Sequence, residues 1–286
     1  MTVEPKLPTE SRAALSEIDP VWTRIREEGA RLAASEPYMG MIAHSVVLHH
    51  GSFESALGYR LAQKLSSPEM SPLILRELAE EAFSSDRRMG AAARADIVAV
   101  FERDPACDRM IMPLLYFKGF LAVQSYRLAH WLWTQGRRDL ALFLQMRSSE
   151  EFSIDIHPGA RIGRGIMIDH AHSIVIGETA VVGDDVSMLH AVTLGGTGKE
   201  GGDRHPKIGD GVLIGAGAKV LGNIQVGRCS RIAAGSVVLK DVPACKTVAG
   251  IPAKIVGDAG CERPSHSMDH RVRLVGRDAE DILPDC

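Results

Sequence analysis

The chain has 286 residues, 45% hydrophobic and 24% charged, enough for one large domain or two ordinary ones. Thirty-three Lys and Arg stand against 36 Asp and Glu, a formal net charge of −3, so neither nucleic acid nor an anionic membrane is the expected partner. No apolar run reaches the roughly 18–20 residues that span a bilayer: PLLYFKGFLAV is interrupted by Lys118, and MTVEPKLPTESR lacks the apolar centre of a signal peptide.

Residues 1–150 carry all three tryptophans and read as helices. Asp19-Pro20 is an N-cap followed by a first-turn proline, and a helix follows to about Ala34. Ser67-Pro68 and Ser71-Pro72 repeat that start signal. In SPLILRELAEEAF the apolar residues Leu73, Ile74, Leu78, Ala82 and Phe83 have helical spacing, and 86–103 and 114–135 read the same way. His49-His50 reads as part of a solvated helix face. Cys107, Cys229, Cys245, Cys261 and Cys286 form no C-x-x-C pair, so free thiols in a reducing cytoplasm are expected.

After Glu151 the texture changes to short Ile-, Val- and Gly-rich runs with a period of six. The row Ile208, Ile214, Val220, Val226, Ile232, Val238 is β-branched throughout. Upstream, Ile156, Ile162, Ile168 and Ile174 form one row, and Ile176, Val182, Met188 and Leu194 another, offset by two. This repeat predicts a parallel β-helix: stiff branched side chains fill a narrow core, small residues and glycine take the corners, and coils stack about 4.8 Å apart. An α/β domain would need helices between its strands, and residues 154–257 offer none. From Leu194 to Ile208 the step is fourteen residues where the period requires twelve, and the polar GGTGKEGGDRHPK fills the gap as a candidate binding insertion.

Seven segments carry a resemblance to a known family: RDPACD (103–108), PLLYFKGF (113–120), YRLAHWLW (126–133), DIHPGARIGRGIMIDHA (155–171), VTLGGTGK (192–199), GGDRHPKIGDGVLIGAGAKVLGNI (201–224) and AGIPAKIVG (249–257). Together they resemble the serine O-acetyltransferases, members of the hexapeptide-repeat acyltransferases. The resemblance implies an α+β, two-domain fold: an α-helical oligomerisation domain (1–150), a left-handed β-helix catalytic domain (151–257) and a flexible C-terminal tail (258–286). It implies acetyl transfer from acetyl-CoA to L-serine as the first step of cysteine biosynthesis, inhibition by L-cysteine, and trimers that pair into hexamers. Family members that dock O-acetylserine sulfhydrylase end in isoleucine; this chain ends Leu-Pro-Asp-Cys286, with Ile282 nearby. His172-Ser173 replaces the family's Thr-Gly.

Serine's hydroxyl is a poor nucleophile at neutral pH, so a base must take its proton as it attacks the thioester, and an oriented histidine suits that role. The resemblance assigns the base to His170 and the orienting acid to Asp155, with direct attack and no acyl-enzyme. Fifteen residues apart, the two would lie on adjoining coils of eighteen. A zwitterionic substrate needs acids for its ammonium, which the resemblance assigns to Asp104 and Asp169, and a planar cation for its carboxylate, assigned to Arg204, with His205 beside the hydroxyl or the carboxylate. Gly196, Ala216 and Ala234 are the family positions for close approach of the pantetheine arm, and Lys219 for a CoA phosphate.

GGTGK lacks the first glycine and the Ser/Thr of a phosphate-binding P-loop. His170-x-His172, with His157 and His190, leaves a zinc-dependent hydro-lyase as a second reading, although no metal is expected. A third is a non-catalytic oligomer-forming protein.

Overall fold

The computed structural model describes residues 19–198, 201–261 and 263–271. Helices come first: α1 (Pro20–Ser35), α2 (Pro37–Ala43, continuing as a π turn to Leu48), α3 (Phe53–Leu65), α4 (Pro72–Ser85), α5 (Arg87–Arg103), α6 (Ile111–Tyr116), α7 (Lys118–Thr134) and α8 (Arg138–Phe152). The start signals act as chemistry predicts in two places. The Asp19 carboxylate accepts the Trp22 N–H at 3.0 Å, and the Ser71 hydroxyl accepts that of Ile74 at 3.4 Å. Ser67-Pro68 does something else: its hydroxyl accepts the N–H groups of Glu69 and Met70 and closes a turn. The helix expected over 114–135 is interrupted at Phe117, whose extended backbone separates α6 from α7.

His50 also departs from expectation. It is buried, with Nδ1 2.9 Å from the Ser55 hydroxyl and Nε2 3.0 Å from the Ser45 carbonyl, and burial holds its pKa below the ordinary value. Only His49 is exposed.

Ser153, in the left-handed region, ends α8 and hands the chain to β1. From there about five coils stack into a triangular prism with three parallel sheets. Sheet I is β1 (Ile154–Ile156), β4 (Ile174–Ile176), β7 (Thr193–Gly195), β10 (Lys219–Leu221) and β13 (Val237–Val238). Sheet II is β2 (Arg161–Ile162), β5 (Val181–Val182), β8 (Lys207–Ile208) and β11 (Gln225–Val226). Sheet III is β3 (Met167–Ile168), β6 (Ser187–Met188), β9 (Leu213–Ile214) and β12 (Arg231–Ile232), closed by β14 (Lys246–Gly250) and the antiparallel β15 (Ala253–Asp258). All six residues of the row from Ile208 to Val238 point inward and are at most 2% exposed. The glycines divide into two kinds. Gly217 adopts the positive φ of a corner, whereas Gly215 lies beneath the next coil, where a Cβ would come 2.6 Å from the Ala234 nitrogen.

Two coils are longer than eighteen residues. Ile168 to Met188 is twenty, which explains the offset between the upstream rows. The insertion after β7 is larger than the sequence count gave. Leu194 and Ile208 lie on neighbouring sheets, a step of fourteen residues that takes only six from Val220 to Val226, so eight extra residues are present.

The helices grip the first coil. Asp96, fully buried, accepts from Gln124, from Arg127 and from the Ile166 backbone N–H. Arg103, at the end of α5, donates to the Gly165 carbonyl, the Ser187 hydroxyl and Asp185. Gly119 lets α7 touch the prism: a Cβ there would stand 2.1 Å from the Ile168 carbonyl oxygen. The expected polar tail is structured at its start. Ala259, Pro264 and Ser265 are buried, α9 (Pro264–Ser267) rests against sheet III, and Ser265 accepts from the Ser187 hydroxyl. Ile282 and Cys286 lie outside the described residues.

Candidate active site

The expected site residues gather at two corners on either side of sheet I. The first is the corner between sheets III and I. Asp169 and His170 leave β3 here on a loop in which His170, Ala171 and Ser173 all have positive φ. The His170 side chain is 72% exposed, with Nε2 3.7 Å from Asp169 Oδ2. One coil on, at the equivalent position, His190 meets the His170 ring edge-on at 5.9 Å between centroids.

Asp104 approaches the same corner from the helical side. It ends α5, and its Oδ1 accepts the Ala106 N–H at 2.8 Å. Cys107 on that turn packs with Val100 and Met167, two residues before Asp169. Burial pushes the Cys107 thiol up to about 11. Further up the prism the corner continues through Ala216 and Ala234, both in register with His170 and His190 through the pairing of β6, β9 and β12. A line of small residues therefore rises from the two imidazoles. Lys219 does not project freely there: its ammonium donates to the Ala191 carbonyl.

The second corner joins sheets I and II. The insertion returns here, and its last residues fold back onto Gly177, Glu178 and Thr179. Arg204 donates to Glu178 Oε2 at 2.7 Å, and this bond lowers the Glu178 pKa. His205 is 7% exposed, held by Thr179 at 2.9 Å, and burial lowers its pKa. Gly196 stands at the root of the insertion, its Cα facing the Arg204 side chain and not the alanine line.

Asp155 and His170 belong to one coil of the prism: they open and close the same twenty-residue coil and do not lie on adjoining ones. Asp155 Oδ1 accepts from Gln145 Nε2 at 2.6 Å, and no hydrogen bond joins it to His170 among the described residues. His157, needed for the metal reading, is at the other corner, edge-on to Trp133 at 5.1 Å, with its Nδ1 accepting the Gly159 N–H. Among the described residues no group of three or more His, Cys, Asp or Glu is placed to hold a metal ion. The sequence reading missed Thr179 and Glu178, which hold the insertion, and counted His190 only as a metal candidate. GETA, at the equivalent corner one coil before the insertion, was the available signal: Glu178 and Thr179 stand where the first coil has Pro158 and Gly159.

Comparisons with known proteins bear on both halves. Residues 21–125 match the family model for the N-terminal part of serine acetyltransferase, and residues 205–240 match the bacterial transferase hexapeptide model. The serine acetyltransferase of Escherichia coli strain K12 is 57% identical over 264 residues, 92% of this chain and 97% of that one. A Brucella abortus serine acetyltransferase solved with coenzyme A has a TM-score of 0.84 at 54% identity, covering 86% of this chain and 99% of that one. The Neisseria gonorrhoeae serine acetyltransferase solved with serine scores 0.81 at 54% identity, covering 84% and 98%. A serine acetyltransferase complex with cysteine scores 0.87 at 52% identity, covering 88% and 98%. A helical N-terminal part gripping a parallel β-helix, with this degree of identity along nearly the whole chain, means that the protein belongs to the serine acetyltransferase family of hexapeptide-repeat acyltransferases.

Proposed function

We propose that this chain transfers the acetyl group of acetyl-CoA to the hydroxyl of L-serine, releasing CoA and O-acetyl-L-serine. The observation that carries the reading is the corner between sheets III and I: an exposed imidazole with a carboxylate beside it, at the foot of a line of alanines against which a narrow pantetheine arm can lie. Relatives solved with serine, cysteine and coenzyme A are consistent with it.

In this mechanism His170 takes the hydroxyl proton as the oxygen attacks the thioester carbonyl, then returns it to the departing thiolate. Asp104 and Asp169 hold the ammonium. Arg204 and His205 hold the carboxylate, and Arg204 must exchange its bond with Glu178 for one with the substrate. Asp155, whose Oδ1 accepts from Gln145, is the proposed orienting acid through its other carboxylate oxygen. Gly196, Ala216, Ala234 and Lys219 are the proposed contacts of CoA.

The two corners face different directions on one chain, so the pocket requires a neighbouring copy that sets its Arg204 corner against this chain's His170 corner. The trimer is the proposed unit, residues 1–150 pair trimers into hexamers, and residues 151–257 are the catalytic part. L-Cysteine, with serine's shape and charges, is the proposed feedback inhibitor.

The test is thiol release from acetyl-CoA with and without L-serine, repeated with a chelator. Serine-dependent release that survives chelation is expected. Metal-dependent turnover without acetyl-CoA would favour the hydro-lyase, and no serine-dependent release would overturn the reading.

A further inference from the structure

The structure assigns to Thr179 the role of a positioning residue that fixes the tautomer of His205, so that His205 offers a neutral Nε2–H to the bound amino acid. This rests on the serine-pocket reading above. Thr179 lies three residues beyond β4, under the end of the insertion. Its hydroxyl oxygen accepts the backbone N–H of Arg204 at 3.0 Å and that of His205 at 3.1 Å. Two donors fill its lone pairs, so its own proton is free to donate. Two acceptors are within reach, His205 Nδ1 at 2.9 Å and the Asp203 carboxylate. The Thr179 backbone N–H faces the same nitrogen at 3.2 Å.

Nδ1 thus has one fixed donor directed at it, the Thr179 backbone N–H, with the hydroxyl as a second when it turns from Asp203 to the ring. A proton there would set donor against donor in a buried place, so the neutral ring carries its proton on Nε2. The ring lies across the bare Cα of Gly177, where a Cβ would be 2.0 Å from Nε2, so only glycine admits it there. Nε2 has no protein partner among the described residues. The charged groups around the ring favour the neutral form on balance. Burial opposes protonation most, Arg204, Lys207 and His157 oppose it too, and Glu178 alone favours it.

The consequence is a division of labour. A neutral Nε2–H can hold a substrate oxygen but cannot accept its proton, which is left to His170. One hydroxyl also sets the backbone of Arg204 and His205 together, so both carboxylate ligands depend on Thr179.

The test uses the full-length protein labelled with 15N-histidine, with the His205 signals assigned by their loss in His205→Asn. The wild type is expected to show the Nε2–H tautomer with a pKa below the ordinary imidazole value. Thr179→Ser is expected to keep it. Thr179→Val keeps the backbone N–H at Nδ1, so it is expected to keep the Nε2–H tautomer. It frees the Arg204 and His205 backbone, however, and is expected to raise KM for serine by about tenfold, the scale of one lost hydrogen bond, with KM for acetyl-CoA little changed. An Nδ1–H tautomer in the wild type overturns the proposal whether or not Thr179→Val folds. Unchanged serine kinetics in a folded Thr179→Val protein overturns the positioning role. If the wild type fails to acetylate serine, the pocket reading falls, while the tautomer measurement still decides the hydrogen-bond assignment.

Discussion

The two corners beside sheet I treat histidine in opposite ways. At the corner between sheets III and I, a loop with two extra residues and positive φ at His170, Ala171 and Ser173 leaves the His170 side chain exposed. At the corner between sheets I and II, an eight-residue insertion folds back and buries His205 against Gly177 and Thr179. The same prism therefore supplies one exposed imidazole and one buried one. The difference lies in the connecting loops and not in the strands, which are alike at both corners. A β-helix has a rigid core whose corners accept extra residues without disturbing the stacking, and those are the places where chemistry can be added.

The sharpest way to break this contrast is to remove the exposed imidazole. His170→Ala should lower kcat about 10²-fold or more, the usual worth of a general base, measured by CoA release at saturating substrates. A variant within threefold of wild type would remove His170 from that role. The buried corner should respond in KM. Arg204→Lys loses the planar fork, so KM for serine should rise about tenfold with a smaller change in kcat. If kcat and KM for acetyl-CoA move instead, Arg204 serves the other substrate.

A weaker effect tests how the helices hold the first corner. Gly119→Ala places a methyl group against the Ile168 carbonyl, and overpacking of this kind costs about 1–3 kcal/mol in denaturant unfolding. No loss of stability would mean that α7 and the His170 loop are not in contact. The smallest expected effect is on pH. His50, His157, His205, His266 and His270 all have pKa values lowered chiefly by burial. The unfolded chain then binds protons that the native chain refuses. Their contribution to stability is complete above about 6.5 and is lost as the pH falls through the lowered values. The melting temperature should therefore decline from pH 7.5 towards 5.5, and His50→Gln should flatten part of that decline.

Much of the prism was legible in the residues. A period of six with β-branched members identifies the inward face directly, because a core this narrow admits little else. The helix starts at Asp19 and Ser71 were readable for a local reason: side chain and backbone donor are three residues apart. Ser67 carries the same dipeptide but no helix, since it closes a turn with Met70. His50 looked like a surface residue because its partners Ser45 and Ser55 are unremarkable in sequence, and only the turn between α2 and α3 brings them to the ring. The insertion was undercounted because a row of apolar residues does not announce which face of the prism each member occupies.

By itself the sequence determined the repeat, the inward rows, the change from helix to strand near residue 150 and the residue types available for acid–base chemistry. These depend on spacing along the chain. The tertiary structure alone decided that His170 is exposed and His205 buried, that Asp155 rests on Gln145, and that Arg204 is tied to Glu178. Those outcomes depend on which coil lies above which, and corner loops of unequal length set that register.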